Sequence, residues 1–113
     1  MSQPLVIRFE EPEWDIASAA EFERLLAPAL NCPTVIIDLS AVTYIDSTCL
    51  SKLAKLYADR VVNTGYPPSH LVINTYAVTR LFSIAKFERL WPIHKTIDEA
   101  LAALGAEATH PRT

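Results

Sequence analysis

The sequence predicts a single α/β domain built on a four- to five-stranded mixed sheet with about four helices. Two continuous apolar runs, residues 35–39 and 71–74, are typical of strands that are buried on both faces. Between them, apolar residues recur at helical spacing over residues 50–61. A strand, a helix and a second strand of these lengths favour a parallel crossover unit. The length of 113 residues fits one such domain.

The N-terminal segment predicts two further strands. Residues 5–9 contain Val, Ile and Phe, which suit a pleated and half-buried surface. Pro12 follows two glutamates and ends this strand. Residues 13–16 then predict a short second strand or an edge strand, since Pro12 cannot donate a ladder hydrogen bond.

The first helix is predicted from Ser18, which begins an S-x-x-E capping box with Glu21. Apolar residues follow at helical spacing up to Leu30. Pro28 lies inside this pattern, so we expect the helix to kink or to end early there. A stop is predicted at residues 31–33, which read Asn-Cys-Pro.

The second half of the chain continues the alternation of helices and strands. The long helix over residues 50–61 should end near Gly65, which favours a left-handed cap. A short amphipathic helix over residues 77–85 and an edge strand over residues 90–93 follow.

A last helix is predicted to begin at a second capping box, formed by Thr96 and Glu99, and to close at Gly105. The domain is therefore expected to span residues 1–106. Residues 107–113 are expected to form a frayed C-terminal tail.

Composition excludes several functional classes. The net charge of −3 and the absence of a Lys/Arg cluster argue against direct binding of nucleic acid or of anionic membranes. No apolar run is long enough to insert into a membrane, and the first residues do not resemble a signal peptide. Two glycines exclude every glycine-rich phosphate loop. With only two cysteines and no disulfide framework, a cytoplasmic location is expected.

The remaining reactive side chains suggest no catalysis, metal site or cofactor. His70, His94 and His110 share no metal-ligand spacing, and solvent-facing or loosely bonded imidazoles are expected. Cys49 falls in the first turn of a predicted helix, where the helix dipole can lower the pKa of a thiol. A small buried core residue is the more ordinary role for such a cysteine.

The most informative segment is residues 38–50, which read D-L-S-A-V-T-Y-I-D-S-T-C-L. It predicts a buried strand, a connector and then hydroxyl side chains at the start of a helix. Ser47 and Thr48 there can cap free backbone N–H groups. Alternatively, Ser47 is a phosphorylation acceptor, because a helix N-terminus tolerates a phosphate well.

This segment resembles the signature of the STAS domain, the family of bacterial anti-sigma factor antagonists, typically D-L-S-x-V-x-x-I-D-S-S-G-L. Residues 13–15 resemble the family's G-E-L-D turn, residues 76–82 its x-x-V-x-R-L-F/L helix, and residues 96–104 its closing helix. The resemblance covers nearly the whole chain in order. Two positions differ, since Pro12 and Cys49 replace family glycines, and we expect the Cys49 side chain to project toward a partner.

The resemblance implies a non-enzymatic STAS-like domain that acts by regulated docking. Ser47 aligns with the serine that a partner anti-sigma factor kinase phosphorylates with ATP, and a separate phosphatase restores the unmodified form. The unmodified domain would bind the kinase and free the sigma factor. The residues expected to contact the partner are Asp15, Asp46, Thr48, Cys49 and Leu50.

A second interpretation belongs to another class of function. Some stand-alone STAS proteins are accessory subunits of ABC transporters for lipid-type substrates. They dock on the ATPase subunit through the same helix start, without phosphorylation. Shape and apolar contacts around Thr48, Cys49 and Leu50 would then provide the binding.

Overall fold

The computed structural model describes residues 3–109, and the side chains of residues 3–105. Six strands alternate with four α-helices. The strands are β1 (Leu5–Arg8), β2 (Glu13–Trp14), β3 (Val35–Asp38), β4 (Tyr44–Ile45), β5 (His70–Val72) and β6 (Ile93–His94). The helices are α1 (Ala19–Leu26), α2 (Ser47–Tyr57), α3 (Tyr76–Ile84) and α4 (Ile97–Thr109).

Four strands form the main sheet in the order β1-β3-β5-β6, and β2 pairs with β4 in a separate two-stranded sheet. Every one of these pairings is parallel. The α/β class with about four helices is confirmed, but the main sheet is parallel rather than mixed. The reason lies in the connections, since α1, α2 and α3 each return the chain to the same end of the sheet before the next strand begins.

The sheet is covered on both faces, as the apolar run of β3 predicts. All four residues of β3 are buried. On one face of the main sheet, the main core packs against α1, α2 and α3. On the other face, Ile36 and Val72 form a smaller cluster with Ala100 of α4. The larger core contains an aromatic group in which the Phe9 ring lies 4.6 Å from that of Phe22 and 5.3 Å from that of Trp14.

Helix ends follow the predictions in part. α1 ends at Leu26, two residues before Pro28, and the chain continues as a 3₁₀ helix over Ala27–Asn31. A turn of π-helix over Ala58–Asn63 extends α2 before Gly65, which has the predicted positive φ of 82°. Such a φ strains any residue with a Cβ atom, which explains a glycine here.

The prediction that Gly105 closes the last helix is wrong, because α4 continues to Thr109. Gly105 does not adopt a positive φ and so does not act as a left-handed cap. Thr96 caps this helix as predicted, accepting the Glu99 N–H at 3.1 Å. Residues 110–113 of the expected tail lie outside the described residues, so the proposed boundary at residue 106 stays a prediction.

Candidate functional site

Two short strands bring two aspartates to one edge of the domain. β2 and β4 run in parallel, with Trp14 opposite Ile45. The pairing continues one step further, where the Asp46 N–H donates to the Trp14 carbonyl at 3.1 Å. Asp15 and Asp46 therefore leave their strands at the same edge, although residues 15–43 lie between these strands in the sequence.

Each aspartate caps the helix that follows it. The Asp15 carboxylate accepts the Ala17 N–H at 3.0 Å, and the Ser18 hydroxyl accepts the Asp15 N–H at 2.9 Å. The predicted capping box from Ser18 to Glu21 is therefore wrong: the box lies one turn earlier, and the Ser18 side chain makes no cap bond to α1. An aspartate accepts more strongly than a hydroxyl at this position, since it also carries the charge that the helix dipole favours.

The α2 cap likewise comes from an aspartate. The Asp46 carboxylate accepts the Cys49 N–H at 3.1 Å. Ser47 is the first residue of α2 rather than its cap, so the capping role expected of Ser47 and Thr48 belongs to Asp46. The Ser47 hydroxyl is thereby left available for another role.

Ser47 is exposed, and Thr48 is half-buried. The Ser47 carbonyl accepts the hydroxyl of Ser51 at 2.9 Å, so two exposed serines lie one turn apart on α2. An exposed hydroxyl on the first residue of a helix is accessible to a modifying enzyme. The unpaired N–H groups of a first turn also favour a phosphate there.

Cys49 and Leu50 face the core instead. Cys49 is fully buried, Leu50 is 5% exposed, and both belong to the main apolar cluster. The expectation that the Cys49 side chain projects toward a partner is wrong, because the helix turns it inward. In this conformation neither side chain is available to a docked protein. The accessible residues of the expected contact set are Asp15, Asp46 and Thr48, and they lie near the exposed Ser47.

The surroundings of Cys49 also argue against a reactive thiol. Burial, together with the nearby carboxylates of Asp46 and Asp15, raises the pKa of Cys49 to about 11, and Lys52 offsets only part of this rise. The thiol donates to the Asp15 carbonyl at 3.6 Å. These effects outweigh the lowering of the thiol pKa that the helix dipole would cause. Cys49 therefore has the ordinary role of a small, buried core residue.

A shallow groove separates the start of α2 from α3. Its walls come from β4, the first turn of α2 and the near face of α3, with Tyr44, Ser47, Ala77 and Leu81 among the lining residues. Tyr44 is 51% exposed, so its aromatic ring contributes accessible apolar surface to the groove that Ser47 also lines. Such a mixture of apolar surface and few polar groups is typical of the centre of a protein interface.

The groove has fixed walls. Thr75 precedes α3, and its hydroxyl donates to the Val42 carbonyl at 2.9 Å in the loop before β4. Val78 and Phe82, on the inner face of α3, are buried in the main core. Sequence periodicity predicted α3, but it carried no signal that this helix lies beside Ser47, because that contact depends on the topology.

The histidines are arranged differently from the prediction. His70 lies in β5 and is 3% exposed, and its Nδ1 atom lies 2.9 Å from Nε2 of His94 in β6. The expectation of solvent-facing imidazoles is therefore wrong for His70. His110 lies outside the described residues. Within the described part of the chain, no group of three or more His, Cys, Asp or Glu side chains could hold a metal ion.

The pattern of residues 38–50 and the geometry of the Ser47 edge can be compared with known proteins. The family model of the STAS domain matches residues 2–100. The chain belongs to the STAS domain family. The match extends from the residues before β1 into α4 and confirms the resemblance drawn from the sequence.

Solved structures show the same fold as this STAS domain. An anti-sigma factor antagonist from Mycobacterium paratuberculosis matches with a TM-score of 0.75 and 28% identity, over 87% of this chain and 82% of that one. A candidate anti-sigma factor antagonist from Thermotoga maritima matches with a TM-score of 0.72 and 22% identity, over 87% and 86% of the two chains. The comparison with curated proteins found no match. Over residues 3–109, no helix of the STAS domain combines the length and apolarity that crossing a membrane requires.

Proposed function

We propose that this STAS domain is a non-enzymatic regulator that docks on a kinase-type anti-sigma factor and is switched by phosphorylation of Ser47. A phosphatase restores the unmodified form. The observation that carries the proposal is the exposed hydroxyl of Ser47 on the first residue of α2, beside an open groove. A buried Ser47 would have been incompatible with this mechanism. The solved anti-sigma factor antagonist at 28% identity supports the choice of partner class.

The electrostatics around Ser47 give the switch its direction. A phosphate adds about two negative charges at neutral pH. The neighbouring Asp46 is already a carboxylate, and the ammonium group of Lys52, one turn further along α2, is paired with Glu23 at 3.0 Å. Because Lys52 already has a carboxylate partner, the phosphate would add to the negative charge of the surface around Ser47.

The fold need not change for the switch to operate. The Cys49 N–H is already bonded to Asp46, and the helix end tolerates a nearby anion. In a docked complex, however, the phosphate would have to lose its bound water or lie against a partner surface that offers no compensating positive charge. An unmatched charge in an interface costs about 2 kcal/mol or more, which corresponds to roughly thirtyfold in affinity.

The domain acts, on this proposal, in the cytoplasm, where the kinase and ATP would meet it. Its contact surface combines Asp15, Asp46, Thr48 and the groove that Tyr44 and Leu81 line. Cys49 and Leu50 support this surface from below by fixing the first turn of α2 in the core.

The test is capture of partners from an extract of the native host, with binding read by mass spectrometry. Wild type and Ser47→Ala should retain a kinase-type anti-sigma factor, whereas Ser47→Asp should lose most of it. Ser51 offers a matched control, because it is also an exposed serine on α2. Ser51→Asp should therefore bind like wild type.

The same experiment separates the second class of function. Recovery of ABC transporter subunits, equally on wild type and Ser47→Asp, would show that the domain is an accessory subunit of a lipid-type transporter. Equal loss of the anti-sigma factor on Ser47→Asp and Ser51→Asp would show that general negative charge, and not the Ser47 position, controls binding.

A further inference from the structure

The first turn of α3 exposes apolar side chains on its outer face. Tyr76 is 77% exposed and Ala77 is exposed as well, while Arg80 carries the only charge within the helix. The inner face of the helix, with Val78 and Phe82, packs in the main core. The packing of the domain itself therefore does not account for a large exposed aromatic ring at Tyr76.

Tyr76 lies at the border of the groove beside Ser47. It precedes Ala77, which lines the groove, and Tyr44 of β4 lines the groove as well. The Thr75 hydroxyl donates to the Val42 carbonyl at 2.9 Å and so fixes the start of α3 to the loop before β4. Two accessible tyrosines are thereby held on the two elements that border the groove.

The negative charge lies on the β2 side of the groove. Among the lining residues only Asp46 is charged, and its carboxylate already accepts the Cys49 N–H. Glu13 is opposite Tyr44 in the pairing of β2 with β4, and Glu10 and Glu11 precede it, with all three glutamates exposed. A partner group that enters the groove itself meets mainly aromatic and aliphatic surface.

The proposed switch requires the same kind of partner group. Ser47 lines the groove together with these apolar residues. A cationic partner group at this position would attract a phosphate and bind more tightly after modification. An apolar group cannot compensate the charge of a phosphate, so modification of Ser47 would end the contact.

From this geometry we infer that the anti-sigma factor places an apolar segment in the groove and that Tyr44 and Tyr76 anchor it. The inference rests on the proposed function and adds the chemistry of the partner. A few aromatic residues dominate the binding energy of most interfaces, whereas charges at the rim mainly control the association rate. The glutamates on the β2 side form such a rim.

The test is the affinity for the anti-sigma factor that wild type recovers from the host extract, purified and titrated by calorimetry. Tyr44→Ala and Tyr76→Ala should each weaken binding by roughly tenfold or more, because each removes an aromatic anchor. Tyr44→Phe and Tyr76→Phe keep the ring and should bind like wild type. Val62→Ala is the matched control, because Val62 is 72% exposed in the π-helical turn beyond the far end of α2. It should also bind like wild type.

The salt dependence of the same affinity provides a second readout. Between about 50 mM and about 500 mM NaCl, an apolar contact should lose less than roughly threefold, because salt screens charges and not apolar burial. A much steeper loss would show that charge dominates and would overturn the inference.

The variants separate failure of this inference from failure of the proposed function. Wild-type affinity in both alanine variants, or equal weakening in the phenylalanine variants or in Val62→Ala, would overturn the inference and leave the partner in place. If wild type recovers no anti-sigma factor, the proposed function is wrong and the inference is wrong with it.

Discussion

The backbone N–H of Cys49 donates to the Asp46 carboxylate at 3.1 Å, in the turn of α2 that begins with Ser47. The thiol of the same cysteine donates to the Asp15 carbonyl at 3.6 Å. Cys49, which replaces a glycine of the STAS signature, thus connects the two aspartates that follow β2 and β4. The position of Ser47 depends on this connection, and the first two predictions test it.

The Asp46 cap should contribute measurably to stability. Asp46→Ala removes the acceptor of the Cys49 N–H, and the free energy of unfolding should fall by about 1 kcal/mol. Asp46→Asn keeps an acceptor oxygen, so its free energy of unfolding should fall by only about 0.3 kcal/mol. Urea unfolding followed by circular dichroism measures both. Equal stability of Asp46→Ala and wild type would show that the cap is not needed.

The second prediction concerns the buried thiol. Cys49→Gly removes a core side chain and places glycine in a helix, so the free energy of unfolding should fall by about 2 kcal/mol. Cys49→Ala separates the two effects, because it keeps a good helix former and loses only part of the side chain. Its expected loss is about 1 kcal/mol.

Thiol labelling provides an independent check on the same residue. In a Cys32→Ser variant at about pH 8, Cys49 should react with a maleimide only after unfolding, since it is buried and its pKa is raised to about 11. The Cys49→Ser variant reports Cys32, which is half-buried, and should label in the folded state. Rapid labelling of Cys49 in the folded protein would contradict its placement in the core.

Acid stability should depend on Asp38. Burial tends to raise the pKa of this carboxyl, but hydrogen bonds from Ser40 and from Arg8 outweigh burial and lower it. A lowered pKa in the folded state stabilises the fold above the unfolded pKa of about 3.9, and this contribution is lost as the pH falls through the folded pKa. Because Arg8 is 59% exposed, Arg8→Gln should cost only about 0.5 kcal/mol near neutral pH.

The acid limb of the stability curve measures this effect. Between about pH 4 and pH 2, the free energy of unfolding should fall less in Arg8→Gln than in wild type. The reason is that without Arg8 the folded-state pKa of Asp38 lies closer to its unfolded-state pKa. Arg24→Gln is a charge-matched control, because the partner of Arg24 is the exposed Glu21. Identical acid limbs for Arg8→Gln and wild type would show that Arg8 does not hold the Asp38 carboxylate.

Arg60 should be the least replaceable charged residue of the described chain. It is 1% exposed and lies in the π-helical turn. Its guanidinium donates to the carbonyls of Ala29, Cys32, Pro33 and Pro67. Arg60→Met should lower the free energy of unfolding by about 3 kcal/mol, because buried carbonyls lose their donors. Arg60→Lys keeps the charge but not the planar fork of donors, so it should recover only part of the loss.

Much of the fold could be predicted from local patterns. The unbroken apolar run of β3 predicted a strand buried on both faces, and Pro28 predicted the early end of α1. The parallel β3-α2-β5 unit followed from the lengths of its parts. That the strands of residues 3–109 contain no antiparallel pair was not predictable in this way, because β2 and β6 have two residues each and carry almost no pattern.

The candidate site was predicted in its position but not in its details. The signature placed Ser47 at a helix start, and the structure exposes it there. The sequence did not show which way Cys49 turns, since the direction of a side chain in a first turn depends on how the helix packs. The pairing of His70 with His94 was missed for a similar reason, because it depends on a register between two strands that are 20 residues apart in the chain.

The central claim is that a partner kinase modifies Ser47, and phosphosite mapping tests it most directly. The purified chain is incubated with ATP and extract of the native host, recovered and mapped by mass spectrometry, in parallel with Ser47→Ala and Ser51→Ala. The account predicts a single added phosphate on Ser47 in wild type and in Ser51→Ala, and none in Ser47→Ala. An unmodified Ser47 in wild type that has recovered its partner, or a phosphate on Ser51 instead, would contradict it.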